Sequence, residues 1–205
     1  MVETQVVARG VRDERVLSAM RRVPRHLFVP VARTHEAYDD SPLAIAKDQT
    51  ISQPYIVALM LDILGISVGE KVLEIGLGSG YSAAVLSEVA GEAWCIERDG
   101  DLARDAEQRL KDLGYPRVHL KVGDGTLGWS DEAPFDAVLV TAGSPSVPKS
   151  LVSQLKPGGR LLIPVGDRWE QKLVLVRKSL SGQVGEERLC AVRFVPLVGE
   201  EGWKE

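Results

Sequence analysis

Apolar residues recur along this chain at two spacings, and the change from one to the other predicts the fold. Early on the spacing is helical. Val16, Ala19, Met20 and Val23 fall on one face after Asp13, which is suited to cap a helix start, and Pro24 ends the run. Residues 1–10 show no strong periodicity, and 24–50 read as irregular, with Pro30, Pro42 and the acidic pair Asp39-Asp40. A segment that long without periodic structure is more often functional than idle. Ser52 and Pro54 then introduce the apolar run from Tyr55 to Leu64, a helix stopped by Gly65, with Ser52 placed to serve as its N-cap.

From Lys71 onward short apolar runs predict strands at 71–75, 93–96, 118–122, 135–140 and 160–165. Helices are predicted between them at 80–90, 101–113 and 148–155. This alternation implies a parallel sheet with helices on both faces. Three more strands, at 173–176, 188–192 and 194–197, follow with few helical signals between them, so the sheet should end antiparallel. The expected class is α/β, doubly wound and Rossmann-like. One domain is expected over residues 1–205. Its parts would be an N-terminal helical, substrate-side segment (1–65), a ligand-binding core (66–165) and C-terminal strands (166–205).

Ligands of an open parallel sheet bind beyond the carboxyl ends of the strands, where strand order reverses. Those ends carry Gly76, Gly78 and Gly80, then Glu97, then Asp124-Gly125, then Thr141-Ala142-Gly143. Glycines let a backbone come within contact distance of a ligand. Their spacing is G-x-G-x-G, not the G-x-G-x-x-G of a dinucleotide site. No Lys or Arg lies between Lys71 and Arg98, so a pyrophosphate would lack a cationic partner. Acidic and carbonyl-rich surroundings suit the sulfonium of S-adenosylmethionine better. Glu97 is then placed to accept from both ribose hydroxyls, and Asp124 from an adenine amino group. Glu74 would hold loop amides or bond through water. Each position also has a plain structural reading: a tight turn for the glycines, a solvated strand end for Glu97, an Asp-Gly turn for Asp124.

Composition narrows the setting. Of 205 residues 44% are hydrophobic and 26% charged, and the net charge of -4 gives no broad attraction to nucleic acid or anionic membrane. No apolar run approaches the roughly 18 residues of a membrane helix, and no secretory leader is visible. Cys95 and Cys190 read as buried, reduced thiols, which points to the cytoplasm. His26, His35 and His119 have no metal-ligand spacing, so no metal is expected, and no nucleophile–base pair is evident.

Several stretches together carry a resemblance. They are Asp39-Asp40-Ser41-Pro42-Leu43, Gln49-Thr50-Ile51-Ser52-Gln53-Pro54-Tyr55, Leu73 to Tyr81, Val122-Gly123-Asp124-Gly125, Ala133 to Ala137, Gln154 to Arg160 and Phe194-Val195-Pro196-Leu197. In this order, over nearly the whole chain, they resemble the protein L-isoaspartyl (D-aspartyl) O-methyltransferases. The resemblance implies the S-adenosylmethionine-dependent methyltransferase variety of the fold. It also implies a protein-repair reaction, in which a methyl group passes from S-adenosylmethionine to the α-carboxylate of an isoaspartyl residue, leaving S-adenosylhomocysteine. Isoaspartyl proteins and peptides would be the partners, with no nucleic acid or membrane, and the enzyme is expected as a monomer. A carboxylate is already ionised at neutral pH, so positioning should dominate over acid–base chemistry.

By this resemblance Ser52 is the active-site residue, a donor that orients the acceptor carboxylate. Gln49, Thr50, Ile51, Glu74, Gly76, Gly78, Ser79, Gly80, Glu97, Asp124 and Gly125 would surround the cofactor. Ser52, Gln53, Val192, Phe194, Val195, Pro196 and Leu197 would meet the substrate, the last segment by pairing with its backbone. The chain departs from the family pattern at Asp48, where glycine is usual, at Leu77, where Thr or Ser is usual, and at Gly143-Ser144, where two alanines are usual. Asp tolerates a positive φ better than most residues, but its carboxylate would repel an anionic acceptor. Two other readings stay open: a methyltransferase of this fold with another carboxylate or small-molecule acceptor, and a cofactor-binding module without catalysis.

Overall fold

Asp13 caps the first helix as its position suggests: its carboxylate accepts from the backbone N–H of Arg15. The helix, α1 (Glu14–Arg22), buries Val16, Leu17, Ala19 and Met20. The computed structural model describes residues 1–204. Ahead of α1, where no periodicity was expected, Val2–Val6 forms a π-helical turn and Val7–Arg9 a 3-10 turn. Val2 and Val6, four apart, share one buried face. Two residues are too few to reveal a period, yet enough to fold the segment onto the core.

The stretch 24–50 is irregular but not shapeless. It contains 3-10 turns at Arg25–Phe28 and Val31–Glu36 and a small antiparallel hairpin of β1 (Leu43–Ala44) and β2 (Thr50–Ile51). At the hairpin tip Lys47 and Asp48 both have positive φ, 58° and 55°. Asp48 therefore occupies a left-handed conformation, which costs a residue bearing a Cβ roughly 1–2 kcal/mol. Among the described residues it makes no hydrogen bond or ion pair that would offset this. Asp48→Gly should stabilise the protein by up to ~1 kcal/mol, after allowing for the greater chain entropy of glycine. Chemical denaturation measures this, and a loss of stability would contradict it.

Next comes α2 (Pro54–Leu64), closed by Gly65 in the left-handed conformation. Its N-cap is Gln53, without a side-chain cap bond, so Ser52 is not the cap residue. Proline at the first helical position sets the start one residue later than the serine suggested. The Ser52 hydroxyl is left free of any partner among the described residues.

The sheet follows: β3 (Val72–Ile75), α3 (Tyr81–Ala90), β4 (Ala93–Glu97), α4 (Gly100–Asp112), β5 (Val118–Val122), β6 (Phe135–Val140), α5 (Lys149–Ser153), β7 (Leu155–Gly166), β8 (Gln171–Lys178) and β9 (Val184–Val192). Its order is β5-β4-β3-β6-β7-β8-β9. Strands β5 to β7 pair in parallel, and β7-β8-β9 are antiparallel, as the helix-poor C-terminal third implied. The chain runs outward from β3 to β5, then returns to place β6 on the other side of β3. The order thus reverses between β3 and β6, and a crevice opens at their carboxyl ends. All four residues of β3 are buried. Leu73 and Ile75 join Ile96, Phe135, Val138 and Leu161 in one apolar layer, while Val72 joins the layer under α1, α2 and α3.

Three expectations are corrected. The helix predicted at 148–155 ends at Ser153, and β7 starts at Leu155, ahead of Gly158-Gly159; a register shift between Phe135 and Ala137 absorbs the extra residues. Residues 194–197 are not a strand. Pro196 has no N–H for a ladder, and the segment's backbone meets the sheet only through an isolated bridge to Gly143 and the side chain of Gln171. Cys95 is buried in β4, but Cys190 is exposed on the edge strand β9.

Candidate active site

Beyond the ends of β3, β4 and β6 lies a cleft of about 790 Å³, counting space open to solvent. Its floor is Ile75 to Ser79. One side is Gln49 to Ser52, and the other includes Glu97, Gly125, Thr141, Val195 and Leu197. Segments far apart in sequence meet because the strand order reverses here.

The glycine loop is fixed by its neighbours. Gly76 has φ +94°, and an added Cβ would stand 2.7 Å from Thr141 Oγ1. That hydroxyl donates to the carbonyls of Gly76 and Ile75 at 2.7 and 2.9 Å. Only glycine satisfies both the dihedral and the space. Gly80, also at positive φ, is the N-cap of α3. The hairpin packs over this loop, with Ile45 Cδ1 3.8 Å from the Cβ position of Gly78, and Lys47 at its tip reaches Asp101 of α4 at 3.0 Å.

Glu97 ends β4 with 9% of its surface exposed. Its two oxygens accept from the backbone N–H of Gly78 at 2.9 Å and of Asp99 at 3.1 Å. Each carboxylate oxygen has a second lone pair, so the group is held in place while keeping acceptor capacity toward the cleft.

Glu74 does something different. It lies wholly buried beneath the loop and does not line the cleft. Cys95 Sγ approaches Oε2 at 3.8 Å, while Oε1 has no partner. Burial pushes its pKa up to about 8; contacts with Ser82 and Cys95 oppose the rise, and the charge of Glu97 adds to it. A carboxyl in such a place is neutral at pH 7. The Cys95 thiol is pushed up too, by burial first and then by Glu74.

Asp124 is held by its neighbours. Oδ1 accepts from the N–H and the hydroxyl of Thr126, and Oδ2 from the N–H of Glu200 at 2.7 Å. Burial acts to raise its pKa, but these hydrogen bonds and the charge of Arg98 outweigh it, and the net shift is downward. It caps a 3-10 turn and clasps the turn at Gly199, which matches its plain reading as an Asp-Gly turn, and Gly125 beside it faces the cleft.

Of the residues the sequence proposed, Gln49, Thr50, Ile51, Ser52, Gly76, Gly78, Ser79, Glu97, Gly125, Val195 and Leu197 come together around the cleft. Gly80, Gln53, Val192, Phe194 and Pro196 do not line it. The Gln53 amide donates to the carbonyl of Asp40. Between Phe194 and Leu197 most backbone groups are taken. Gln171 accepts from the N–H of Phe194 and donates to its carbonyl, and Gly143 pairs with the carbonyl of Val195 and the N–H of Leu197. Trp203 donates to the carbonyl of Leu197. The Val195 N–H and the Pro196 carbonyl alone remain without partners in this segment among the described residues. Sequence reasoning placed Thr141 and Ala142 at a ligand-binding strand end, as found, but missed Tyr81, Ser82, Arg98 and Val198 as wall residues and Thr141 as the brace of the loop. Position alone could have flagged Tyr81, Ser82 and Arg98, each next to a residue already proposed or within two of one.

No helix among the described residues is long and apolar enough to cross a membrane. A family model described as protein-L-isoaspartate(D-aspartate) O-methyltransferase matches residues 1–202. A protein-L-isoaspartate O-methyltransferase 1 of Syntrophobacter fumaroxidans is 57% identical over 204 residues, covering 100% of this chain and 95% of that protein. A solved protein-L-isoaspartate O-methyltransferase superposes with a TM-score of 0.87 at 30% identity, over 98% of this chain and 67% of that one. The crystal structure of a putative protein-L-isoaspartate O-methyltransferase from Plasmodium falciparum, in complex with S-adenosyl-L-homocysteine, gives 0.82 at 25% identity, over 96% of both chains. With its length matched end to end and its glycine loop built into a cleft at the switch point, the chain belongs to the protein-L-isoaspartate(D-aspartate) O-methyltransferase family.

Proposed function

We propose that the cleft is where this enzyme methylates the α-carboxylate of L-isoaspartyl residues in proteins and peptides, with Ser52 at the acceptor end and Glu97 at the cofactor end. The observation that carries the assignment is the pairing of two unlike walls. One offers a free serine hydroxyl. The other offers a held carboxylate over a glycine floor. The residues present suit S-adenosylmethionine: Glu97 can accept from ribose hydroxyls, Gly76 and Gly78 bring backbone close, and Ile75, Leu77 and Ile96 supply apolar surface. When bound, S-adenosylmethionine supplies an activated methyl group on a sulfonium.

The protein's own part is placement. The Ser52 hydroxyl donates to the acceptor carboxylate and turns one oxygen toward the cofactor end. Tyr81 and the hairpin limit water. No general base is required, because the acceptor is already an anion, and orientation supplies the rate gain. Asp124 holds the turn behind Gly125, and its Oδ2, with one bond, keeps acceptor capacity for an adenine amino group. Backbone pairing with a substrate strand is narrowed to the Val195 N–H and the Pro196 carbonyl.

Labelled methyl transfer to a peptide with one isoaspartate, set against its normal-aspartate twin, tests the reaction. Transfer to the first alone is expected. Transfer to neither rejects the repair reading, and equal transfer to both rejects its specificity. Ser52→Ala should lower kcat/KM by about 10-fold, the loss of one hydrogen bond to a charged group, with S-adenosylhomocysteine affinity retained. Full turnover in the folded variant would remove Ser52 from the mechanism.

A further inference from the structure

Behind Ser52 a guanidinium is buried with no anion paired to it among the described residues. Arg25 opens the 3-10 turn at Arg25–Phe28 and is 0% exposed. Its Nε donates to the carbonyl of Ala37 at 2.7 Å, and one terminal nitrogen, Nη2, donates to the carbonyl of Ser52 at 2.8 Å. The other, Nη1, is buried without a partner. The guanidinium carbon stands 4.8 Å from the centroid of the Tyr81 ring. Ser52 and Tyr81 both line the cleft, so the cation bridges two residues of one wall from behind. Tyr81 Oη and Asp40 Oδ1 are also buried and unpartnered, while the other oxygen of Asp40 is taken by Arg9 at 2.8 Å. Among the described residues Arg25 forms no ion pair, and Asp40 attracts it only at longer range.

A buried cation is costly unless something compensates it. Arginine does not escape by losing its proton. Two backbone carbonyls, an aromatic face and the nearby charge of Asp40, which is shared with Arg9, compensate in part. The remaining positive potential falls on the wall that carries Ser52, in a setting where water screens it poorly. The acceptor is the one species that must bring an anion to that wall.

We propose that Arg25 is a positioning residue for the acceptor: it holds Ser52 through its carbonyl and supplies the positive potential that selects an ionised α-carboxylate over a neutral group of the same shape. This rests on the placement of the acceptor at Ser52. Arg25 does not touch the substrate. Its charge acts across Ser52 and Tyr81.

The test compares two peptides for binding in the presence of S-adenosylhomocysteine. One carries isoaspartate, and its twin carries isoasparagine, with the same linkage and a neutral α-carboxamide. The wild-type protein should prefer the acid. In Arg25→Gln that preference should shrink by ~10-fold, equivalent to about 1.4 kcal/mol, with a smaller loss on the amide peptide from the released Ser52 carbonyl and S-adenosylhomocysteine still bound. Arg25→Lys, which keeps the charge but not both hydrogen bonds, should retain most of the preference. A preference unchanged in Arg25→Gln overturns the proposal. Equal weakening of both peptides also overturns it, since a merely structural bracket behaves that way. Should Arg25→Gln fail to bind S-adenosylhomocysteine, Arg25→Lys decides by the same readings: retained preference supports the charge role, and equal loss on both peptides ends it. Wild-type transfer to isoaspartyl peptide, measured beside these, keeps the two ideas separable. An active enzyme whose preference survives Arg25→Gln sinks the Arg25 inference alone.

Discussion

Glu97→Ala is expected to weaken S-adenosylhomocysteine binding by at least ~100-fold. Hydrogen bonds to a charged group contribute about 1.5–3 kcal/mol each, and two ribose hydroxyls would lose their acceptor at once. The effect exceeds that of a rim contact because Glu97 is nearly buried and already oriented by Gly78 and Asp99. No other carboxylate among the described residues lines the cleft: Glu74 lies beneath the floor, and Asp124 is held in place by Thr126 and Glu200. Removal also leaves two backbone N–H groups without an acceptor, so a modest loss of stability should accompany the loss of affinity. Glu97→Gln keeps one acceptor oxygen and should fall between. Calorimetric titration with S-adenosylhomocysteine measures all three proteins. Near wild-type affinity in the alanine variant would take Glu97 out of the cofactor's binding site.

Glu74→Gln should make the protein more stable at pH 8 than the wild type, by an amount on the order of a few kcal/mol. The wild-type carboxyl has its pKa raised to about 8 in the folded protein, chiefly by burial, against an ordinary value of 4.5. The folded state therefore holds this proton more tightly than the unfolded state. Stability from this group is complete below pH ~4.5. It declines as the unfolded chain ionises, and the decline ends near pH 8, where the folded state ionises too. Each pH unit in that window costs about 1.4 kcal/mol at most. Glutamine has nearly the shape of the protonated acid and no proton to lose, so the variant lacks the slope. Denaturant unfolding at pH 5 and pH 8 should show the difference between variant and wild type widening with pH. A difference that stays flat would mean that Glu74 is already ionised at pH 5.

Much of this architecture was legible because it rests on periodicity and punctuation. β5 and β6 begin and end where their apolar runs do. α1 is capped by Asp13, and Gly65 closes α2. The antiparallel end followed from missing helical signals between the last strands. The site was legible where backbone conformation demands a residue type, as at Gly76. It was not legible where a side chain's partner is distant in sequence. Nothing near Asp124 announces Glu200, and nothing near Phe194 announces that Gln171 will occupy its backbone. A motif gave Ser52 its prominence, yet the expected helix cap turned out to be Gln53, one residue on. Val2 and Val6 show the opposite failure, a short element fixed by burial with too few residues to display a period.

The ties across Gly143 and Asp124 also bear on the order in which the protein becomes competent during synthesis. Trp203 Nε1 donates to the carbonyl of Gly143 across 60 residues of chain, and Glu201 N–H donates to Thr126 Oγ1 across 75. The parallel strands can pair while the chain is still being made, since N-terminal parts fold as they emerge. The wall formed by Val195 and Leu197 has to wait until β9 and the turn beyond it exist. Such long-range closures are the slow part of folding, because the loop must be ordered before any contact rewards it. A nascent chain thus has the Ser52 wall and the glycine floor to hand first, and the Val195 and Leu197 part of the facing wall closes the cleft last.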